Sequence, residues 1–386
     1  MQGTVITCLF LFPSLIYSIP MTKKFKNAIR QIHLWLGLAT GLIVVIISLT
    51  GCVYVFEKEI REFVQKDYKE VPVQNKGFVG LSRIITNFEK AAPKETLTAI
   101  RILNDQPNAT VTVTTKKKHV YFFNPYTASL VKKSSLDWLD TAEHIHTSLL
   151  LEEPGKFVIR WSVAIFVIIL ISGIILWFPN QMRLLRQSLT IKWNASFKRV
   201  NYDLHNVLGF YSSGILLIIA LSGLYFAFDE VKAAASFVSA SKLSKATKAD
   251  LLQLPVAKDI ALRYDQVYSR TMAKFPGAKE SRISVRKTGE IRLRLIYPNT
   301  WAKNQNTFFF DPLTGAMLNY KLYKDNTRAD ILEATNYDLH TGQLFGLFGK
   351  VLACIVSLIS ASLPITGFII WWKKQKKGKK KKIVRA

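Results

Sequence analysis

The sequence predicts a membrane α-helical protein with four transmembrane helices, an internal duplication and two α+β domains outside the membrane. Four runs are long and apolar enough to cross a bilayer, which requires about 20 apolar residues. These runs are Ile32–Phe56, Phe157–Phe178, Leu204–Phe228 and Phe345–Trp372. Two long polar segments separate them, and histidine–glycine motifs recur between the two halves of the chain.

The first repeated motif opens spans one and three. His33 precedes Gly51 by 18 residues, as His205 precedes Gly223. A second motif places two glycines and a tryptophan 9, 27 and 31 residues after a His-Thr dipeptide. Its copies are His146, Gly155, Gly173 and Trp177, and His340, Gly349, Gly367 and Trp371. Matches at fixed offsets indicate a duplicated unit, with the copies related by an axis along the membrane normal.

The charge distribution predicts the orientation. The net charge is +27, and three basic segments contain no acidic residue: 21–32, 179–202 and 373–386. The positive-inside rule places these segments, and both termini, in the cytoplasm. The lysine-rich tail is more typical of contact with anionic lipid than with nucleic acid, so we expect no nucleic-acid partner. Cys8, Cys52 and Cys354 lack CxxC spacing, which disfavours a thiol metal site, an iron–sulfur cluster and covalent haem attachment.

The predicted organisation follows the chain in order. Residues 1–20 are either a signal-like segment or an extension before a start at Met21. The remaining segments are 21–56 (basic segment and span one), 57–143 (outer domain), 144–178 (interfacial segment and span two), 179–203 (basic loop), 204–228 (span three), 229–338 (outer domain), 339–372 (span four) and 373–386 (tail).

Both outer segments have helix and strand patterns. The first predicts a helix at Leu81–Ala92 and strands at Leu97–Leu103, Ala109–Thr115 and His119–Phe123. The second predicts a helix at Val256–Phe275 and strands at Arg282–Arg286, Ile291–Tyr297 and Thr307–Phe310. Both then contain the same turn signal, at Phe123–Ala128 and Phe310–Gly315.

Four histidines are the candidate cofactor ligands. His33 and His205 begin outward-going spans and share the cytoplasmic depth, whereas His146 and His340 precede inward-going spans and share the outer depth. Two facing imidazoles can occupy both axial positions of a haem iron. The sequence therefore predicts two haems b, with His33 and His205 on one iron and His146 and His340 on the other. The alternative for a lone histidine is capping or a hydrogen bond to a neighbouring helix.

Four glycines lie at the same levels. Gly51 and Gly223 match the outer histidines, and Gly173 and Gly367 match the inner ones. Small residues let a flat macrocycle approach the backbone, although they also mark ordinary helix contacts in membranes. The preceding hydroxyl residues are further candidates: Thr50, Ser172, Ser222 and Thr366.

One ligand assignment stays open. We expect Pro154-Gly155 to end the helix after His146. His144 lies on a different helical face from His146 and aligns with Asp338 in the second copy, so the repeat favours His146. His119, beside three lysines, is expected at the surface.

At these residues the chain resembles the PepSY-associated transmembrane family, also called iron-regulated membrane proteins. The resemblance rests on the His-x3-Gly starts, the His-Thr…Gly-Lys…Gly…Trp pattern and the [DN]-P-x-T-[GA] turns. It implies PepSY-like outer domains in the periplasm, a Gram-negative inner membrane and a role in iron uptake, since some members resemble ferrisiderophore reductases. No flavin or NADPH module is expected in this chain, because no GxGxxG follows a strand.

The predicted function is electron transfer from the cytoplasmic to the periplasmic side, to reduce an Fe(III) chelate such as a ferrisiderophore. The electron donor, cytoplasmic or quinol, and the catalytic residues are not predicted. The alternative is a non-redox membrane-anchored PepSY protein that binds peptides or inhibits a periplasmic protease. A transporter is disfavoured, because the spans contain few ionisable residues besides the histidines.

Overall fold

The computed structural model describes residues 22–135, 137–179, 181–248, 260–286, 288–298 and 304–383. They form two compact units. The helical unit comprises the residues up to Leu49, His146–Leu224 and those from Cys354 onward, and the sheet unit comprises Thr50–Ile145 and Tyr225–Ala353. The expectation for residues 1–20 lies outside the described residues.

The described helices and strands are, in chain order, α1 (Lys23–Tyr54), α2 (Glu57–Val64), α3 (Leu81–Ala91), β1 (Leu97–Leu103), β2 (Val111–Thr115), β3 (Val120–Phe123), β4 (Leu130–Ser134), α4 (Asp137–Ser148), α5 (Glu152–Trp177), α6 (Leu185–Ser188), α7 (Phe197–Asp203), α8 (Gly209–Ala227), α9 (Asp229–Val238), β5 (Thr247–Lys248), α10 (Ile260–Lys274), β6 (Glu280–Val285), β7 (Ile291–Ile296), β8 (Gln305–Phe310), β9 (Met317–Lys321), α11 (Arg328–His340) and α12 (Gly346–Ile383).

Four helical segments are long and apolar enough to cross a membrane, which confirms the four predicted spans. They are Lys23–Tyr54, Glu152–Trp177, Phe197–Ala227 and Gln343–Gln375. The shortest is 26 residues long, or about 39 Å at about 1.5 Å per residue. The chain is therefore a multi-pass membrane protein.

Side chains in the helical unit explain how these helices pack. Trp177 stacks on Phe210 with ring centres 3.5 Å apart. The Ser48 hydroxyl donates to the Ser360 hydroxyl at 3.1 Å. Many large apolar side chains remain exposed, as expected for helices whose outer faces contact lipid: Trp35, Leu42, Ile168, Ile218 and Ile355.

The sheet unit contains one antiparallel sheet of nine described strands, in the order β4-β3-β2-β1-β6-β7-β8-β9-β5. Each polar segment supplies a four-stranded meander. β1 pairs with β6 from Ala99↔Ser284 to Leu103↔Glu280. The two segments therefore share one sheet, whereas the sequence predicts a separate α+β domain in each segment. Pairing β1 with β6 removes two edge strands whose backbone groups would otherwise need other partners.

α3 and α10 pack on one face of this sheet and bury a common apolar core. Its fully buried members include Leu81, Ile84, Phe88, Ile100, Val113, Leu293 and Phe308. The predicted strand Leu97–Leu103 is confirmed with the same bounds, and the other predicted strands shift by one or two residues at one or both ends. The predicted start of the second helix, near Val256, lies outside the described residues.

The two predicted turns have the same hydrogen bonds. Asn124 Oδ1 accepts from the backbone N–H of Tyr126 at 2.8 Å, and Asp311 Oδ1 accepts from that of Leu313 at 2.8 Å. Each turn closes on a residue with positive φ, Ala128 at 57° and Gly315 at 66°. The Asx side chain therefore organises both turns.

Candidate functional site

His33 and His205 face each other inside the helical unit. Their ring centres are 6.4 Å apart and their planes are at 88°. His33 lies on α1, and His205 lies in a π-helical turn, Leu204–Leu208, between α7 and α8. The structure thus brings together the two histidines for which the sequence predicted equal depth.

The protonation of His33 follows from its partner. Nδ1 of His33 lies 2.9 Å from the hydroxyl of Ser172. That hydroxyl donates its single proton to the carbonyl of Ile169 at 2.9 Å, so it can only accept from the histidine. The network places a proton on Nδ1 of His33, so the neutral imidazole has its lone pair on Nε2.

The same argument holds for His205. Its Nδ1 lies 3.1 Å from the carbonyl oxygen of Leu363, which can only accept, and 3.0 Å from the hydroxyl of Thr366. Thr366 donates in turn to backbone carbonyls of its own helix. His205 therefore also has Nδ1–H, and its neutral form has the lone pair on Nε2, the form in which imidazole binds a metal.

Two of the predicted glycines make room for these imidazoles. A Cβ on Gly173 would lie 3.3 Å from Cε1 of His33, and a Cβ on Gly367 would lie 3.2 Å from Cε1 of His205. The role that the sequence predicts for these glycines, close approach to a macrocycle, stays a prediction. The structure places them against the ligand candidates themselves, each directly after the hydroxyl residue that holds the ring.

The π-helical turn distinguishes the His205 side from the His33 side. α1 is a continuous α-helix at His33, whereas Leu204–Leu208 adds a wider turn at His205. Asn201, one turn earlier, donates to the carbonyl of Thr366 at 3.1 Å. Such turns re-aim a side chain within a helix and are frequent at functional sites. The sequence pattern did not reveal this feature.

The helix break after His146 occurs earlier than predicted. α4 ends at Ser148, and Leu149 and Leu150 have φ of 51° and 62°. α5 then begins at Glu152, so Pro154 lies in its first turn, where no N–H is needed. Gly155 is required for this corner, because a Cβ there would lie 1.7 Å from the carbonyl oxygen of Ser148.

The corner after His340 follows the same principle. A Cβ on Gly349 would lie 2.1 Å from the carbonyl oxygen of Gly342. Ser148 and Gly342 each lie two residues after the histidine of their motif, and Gly155 and Gly349 each lie nine residues after it. The first glycine of the motif therefore permits a tight helical corner.

The outer histidines have individual contacts. His146 Nδ1 lies 2.8 Å from the carbonyl oxygen of Ile47, so its proton is also on Nδ1. The ring of His340 lies edge-on to Phe226 with centres 5.9 Å apart. His146 belongs to the helical unit and His340 to the sheet unit, so their pairing stays a prediction, as does the choice of His146 over His144, which lies on α4.

The remaining glycine candidates lie within helices, Gly51 in α1 and Gly223 in α8, and both are half-buried. Ser222, before Gly223, donates to the carbonyl of Ile219 at 2.8 Å. Their role beside a cofactor stays a prediction.

Comparison with known protein families matches residues 30–374 to the model of the PepSY-associated TM region. The chain belongs to this family. No curated protein matches the chain. The membership agrees with the four spans and accounts for nearly the whole chain of this PepSY-associated TM protein.

One buried cation in this PepSY-associated TM protein was missed by the sequence reasoning. Lys350 is 3% exposed, and its Nζ lies 2.9 Å from both carboxylate oxygens of Glu59. Burial alone raises the pKa of Glu59, but the hydrogen bond and charge of Lys350 outweigh this effect and lower it. Because Lys350 directly follows Gly349 in the repeated motif, that position was the available signal.

Proposed function

We propose that this protein is a di-haem b electron carrier of the bacterial inner membrane. His33 and His205 would hold one haem iron, and His146 and His340 the second. The proposed electron transfer runs from the cytoplasmic to the periplasmic side, where an Fe(III) chelate such as a ferrisiderophore accepts the electron. The observation that carries the proposal is the facing pair of His33 and His205, each fixed through Nδ1.

The spacing of this pair suits two imidazoles that share one iron. A metal–imidazole bond is about 2.0–2.1 Å long, and the two ring centres lie 6.4 Å apart. Hydroxyl or carbonyl acceptors on the opposite nitrogen are the usual support for a metal-bound histidine.

Within the described residues, no group of three or more His, Cys, Asp or Glu side chains is placed to hold a metal ion. Two axial histidines need no third protein ligand when the porphyrin supplies the equatorial nitrogens. The donor set at His33 and His205 therefore suits haem better than a metal ion held by protein ligands alone.

A haem bound there would supply reversible one-electron transfer. The protein's contribution is to fix both imidazoles, to keep their Nε2 atoms unprotonated and to surround them with apolar helices. Reduction of an Fe(III) chelate to Fe(II) consumes one electron, which a cytoplasmic or quinol donor must provide. His146 contacts the carbonyl oxygen of Ile47, 14 residues after His33, so the two histidine levels are about 21 Å apart along α1.

The matched contacts also support the proposal of an internal duplication. Ser172-Gly173 holds His33, and Thr366-Gly367 holds His205. The two turns at Asn124 and Asp311 share their hydrogen bonds. The proposed orientation places the basic segments and both termini in the cytoplasm and the sheet unit in the periplasm.

The test is the haem content of the purified protein, measured by its Soret and α bands and by pyridine extraction. We expect His33→Ala and His205→Ala each to remove the same haem and to leave the other. His119→Ala is the matched control, because His119 pairs with Glu95 in the sheet unit at 2.8 Å. Colourless wild-type protein would contradict the proposal and favour the non-redox alternative.

The ligands of the outer haem are tested by comparing three histidine variants. We expect His146→Ala and His340→Ala to convert a low-spin iron to high-spin or to empty one site, and His144→Ala to leave both haems. A high-spin signal from His144→Ala alone would make His144 the ligand instead.

A further inference from the structure

The face of the sheet opposite α3 and α10 carries a row of arginines. Arg101 on β1 is the direct partner of Arg282 on β6, and Arg282 is the direct partner of Arg294 on β7. Their neighbours along each strand, such as Ile100, Ile283 and Leu293, point to the buried core. The three arginines therefore lie side by side on adjacent strands, whose backbones are about 4.7–4.9 Å apart. We call them the arginine row.

A single glutamate, Glu280, accepts hydrogen bonds from two members of the arginine row. Glu280 accepts from Arg101 at 3.0 Å and from Nε of Arg282. Nε of Arg294 and Nε of Arg101 are buried and have no hydrogen-bond partner among the described residues. Arg292, two residues from Arg294 on β7, donates to Ser284 at 3.2 Å. Four arginines thus share this part of the face with one carboxylate.

Such an arrangement is costly by itself. Like charges directly opposite each other on neighbouring strands destabilise a sheet. Burial, with the charges of Arg292 and Arg282 adding to it, lowers the pKa of Arg294 to about 10. A bound anion would offset both the repulsion and the unpaired donors.

The row continues into a concave site. Thr112 on β2 is the direct partner of Arg101. Both line a cavity of about 420 Å³, together with Arg61, Lys69, Lys118 and Thr114. The volume is within the range of small-molecule sites. Two acidic lining residues are already paired, Asp140 with Arg61 at 2.7 Å and Glu143 with Lys118 at 2.8 Å.

We propose that the arginine row and the adjoining cavity bind a small soluble molecule that carries two or three carboxylates. Planar guanidinium forks match carboxylates in two-point contacts, and several forks in a row select for several carboxylates on one molecule. The identity of the bound molecule rests on the proposed electron transfer. Given that function, the substrate is an Fe(III) chelate with free carboxylates rather than a neutral or cationic chelate.

Citrate is the probe, titrated by calorimetry into the full-length protein in phosphatidylcholine nanodiscs, with the haem content of each sample recorded. We expect Arg294→Gln to weaken citrate binding by at least about tenfold. The same variant should raise the unfolding midpoint in citrate-free buffer, because it removes a repulsive charge. If Arg294 only stabilised the fold, Arg294→Gln would lower the unfolding midpoint instead. Arg294→Lys should keep the fold and lose most of the affinity, since it lacks the fork.

Arg83→Gln is the matched control. Arg83 lies exposed on α3, on the other side of the sheet, and its loss should leave citrate affinity within about twofold. Equal weakening by Arg83→Gln, equal affinity for acetate, or no citrate binding to the wild type would overturn the proposal. Loss of citrate binding in phosphatidylglycerol nanodiscs would overturn it too, because lipid headgroups would then be the occupant. Citrate binding by haem-free protein would support this proposal even where the electron-transfer proposal failed.

Discussion

The hydroxyl of Ser172 accepts a hydrogen bond from Nδ1 of His33 at 2.9 Å while donating to the backbone of its own helix. This relationship couples α5 to α1 and fixes both the tautomer and the ring orientation of the histidine. Thr366 has the same relationship with His205. A ligand fixed in this way is preorganised for a metal.

Removal of the Ser172 hydroxyl should therefore loosen the cofactor. We expect Ser172→Ala to weaken haem retention at the His33–His205 site by about 10–100-fold, measured by haem transfer to an apo-globin acceptor. Ser48→Ala, which removes a hydroxyl contact with Ser360 in the same unit, should retain haem as the wild type does. Equal retention by both variants would contradict the role of Ser172.

A methyl group at either histidine-facing glycine should displace an imidazole. Gly173→Ala and Gly367→Ala place Cβ at 3.3 and 3.2 Å from a histidine ring, which is tighter than ordinary contact. We expect membrane insertion to persist and the low-spin absorption to fall. Gly214→Ala is the control, because nothing lies within 4 Å of its Cβ position. Unchanged spectra in all three variants would show that the close packing is not needed.

The helical corner after His146 should be intolerant of substitution. In Gly155→Ala, Cβ would lie 1.7 Å from the Ser148 carbonyl oxygen, so the backbone must move. We expect the free energy of unfolding to fall by more than about 2 kcal/mol, seen as a lower thermal midpoint in detergent. Gly37→Ala, which meets open space, should leave the midpoint unchanged or raise it. A wild-type thermal midpoint for Gly155→Ala would contradict the claim that this corner requires glycine.

Acid stability of the sheet unit should depend on Glu95. Burial raises the pKa of this carboxylate, but hydrogen bonds from His119, Tyr121 and Lys133 outweigh burial and lower it from 4.5 to about 2. A carboxylate with a lowered folded-state pKa contributes stability above the unfolded pKa, and this contribution is lost as pH falls from about 4.5 towards 2.

Glu95→Gln should therefore be destabilised relative to the wild type at pH 7, with the difference in unfolding midpoint shrinking as pH falls through that window. Glu89→Gln, at an exposed position on α3, is the control and should follow the wild-type pH profile. A constant difference between Glu95→Gln and wild type from pH 7 to pH 3 would exclude the electrostatic origin.

Much of this architecture could be predicted from the sequence, because its signals are local. The four spans follow from the length of apolar runs, and the core strands follow from β-branched and aromatic residues. The turns at Asn124 and Asp311 follow from Asx-Pro chemistry. By contrast, β4 and β9, the strands that follow these turns, were missed, since each has few buried residues.

The features that could not be predicted depend on partners distant in sequence. The β1–β6 pairing joins residues about 180 positions apart, and no local pattern specifies it. The arginine row depends on that pairing and was invisible for the same reason. At the candidate site, the repeat predicted equal depth for His33 and His205, whereas their tautomers and the π-helical turn depend on contacts with Ser172, Thr366 and Asn201.

The most direct test of the central claim is low-temperature EPR of the oxidised wild type beside His33→Ala, His205→Ala and the double variant. Two imidazoles with planes at 88° on one iron predict a strongly anisotropic low-spin signal. We expect each single variant to lose that signal, and the double variant to lose nothing more, because both side chains serve one iron. Absence of low-spin haem in the wild type, or loss of different signals in the two single variants, would contradict the account.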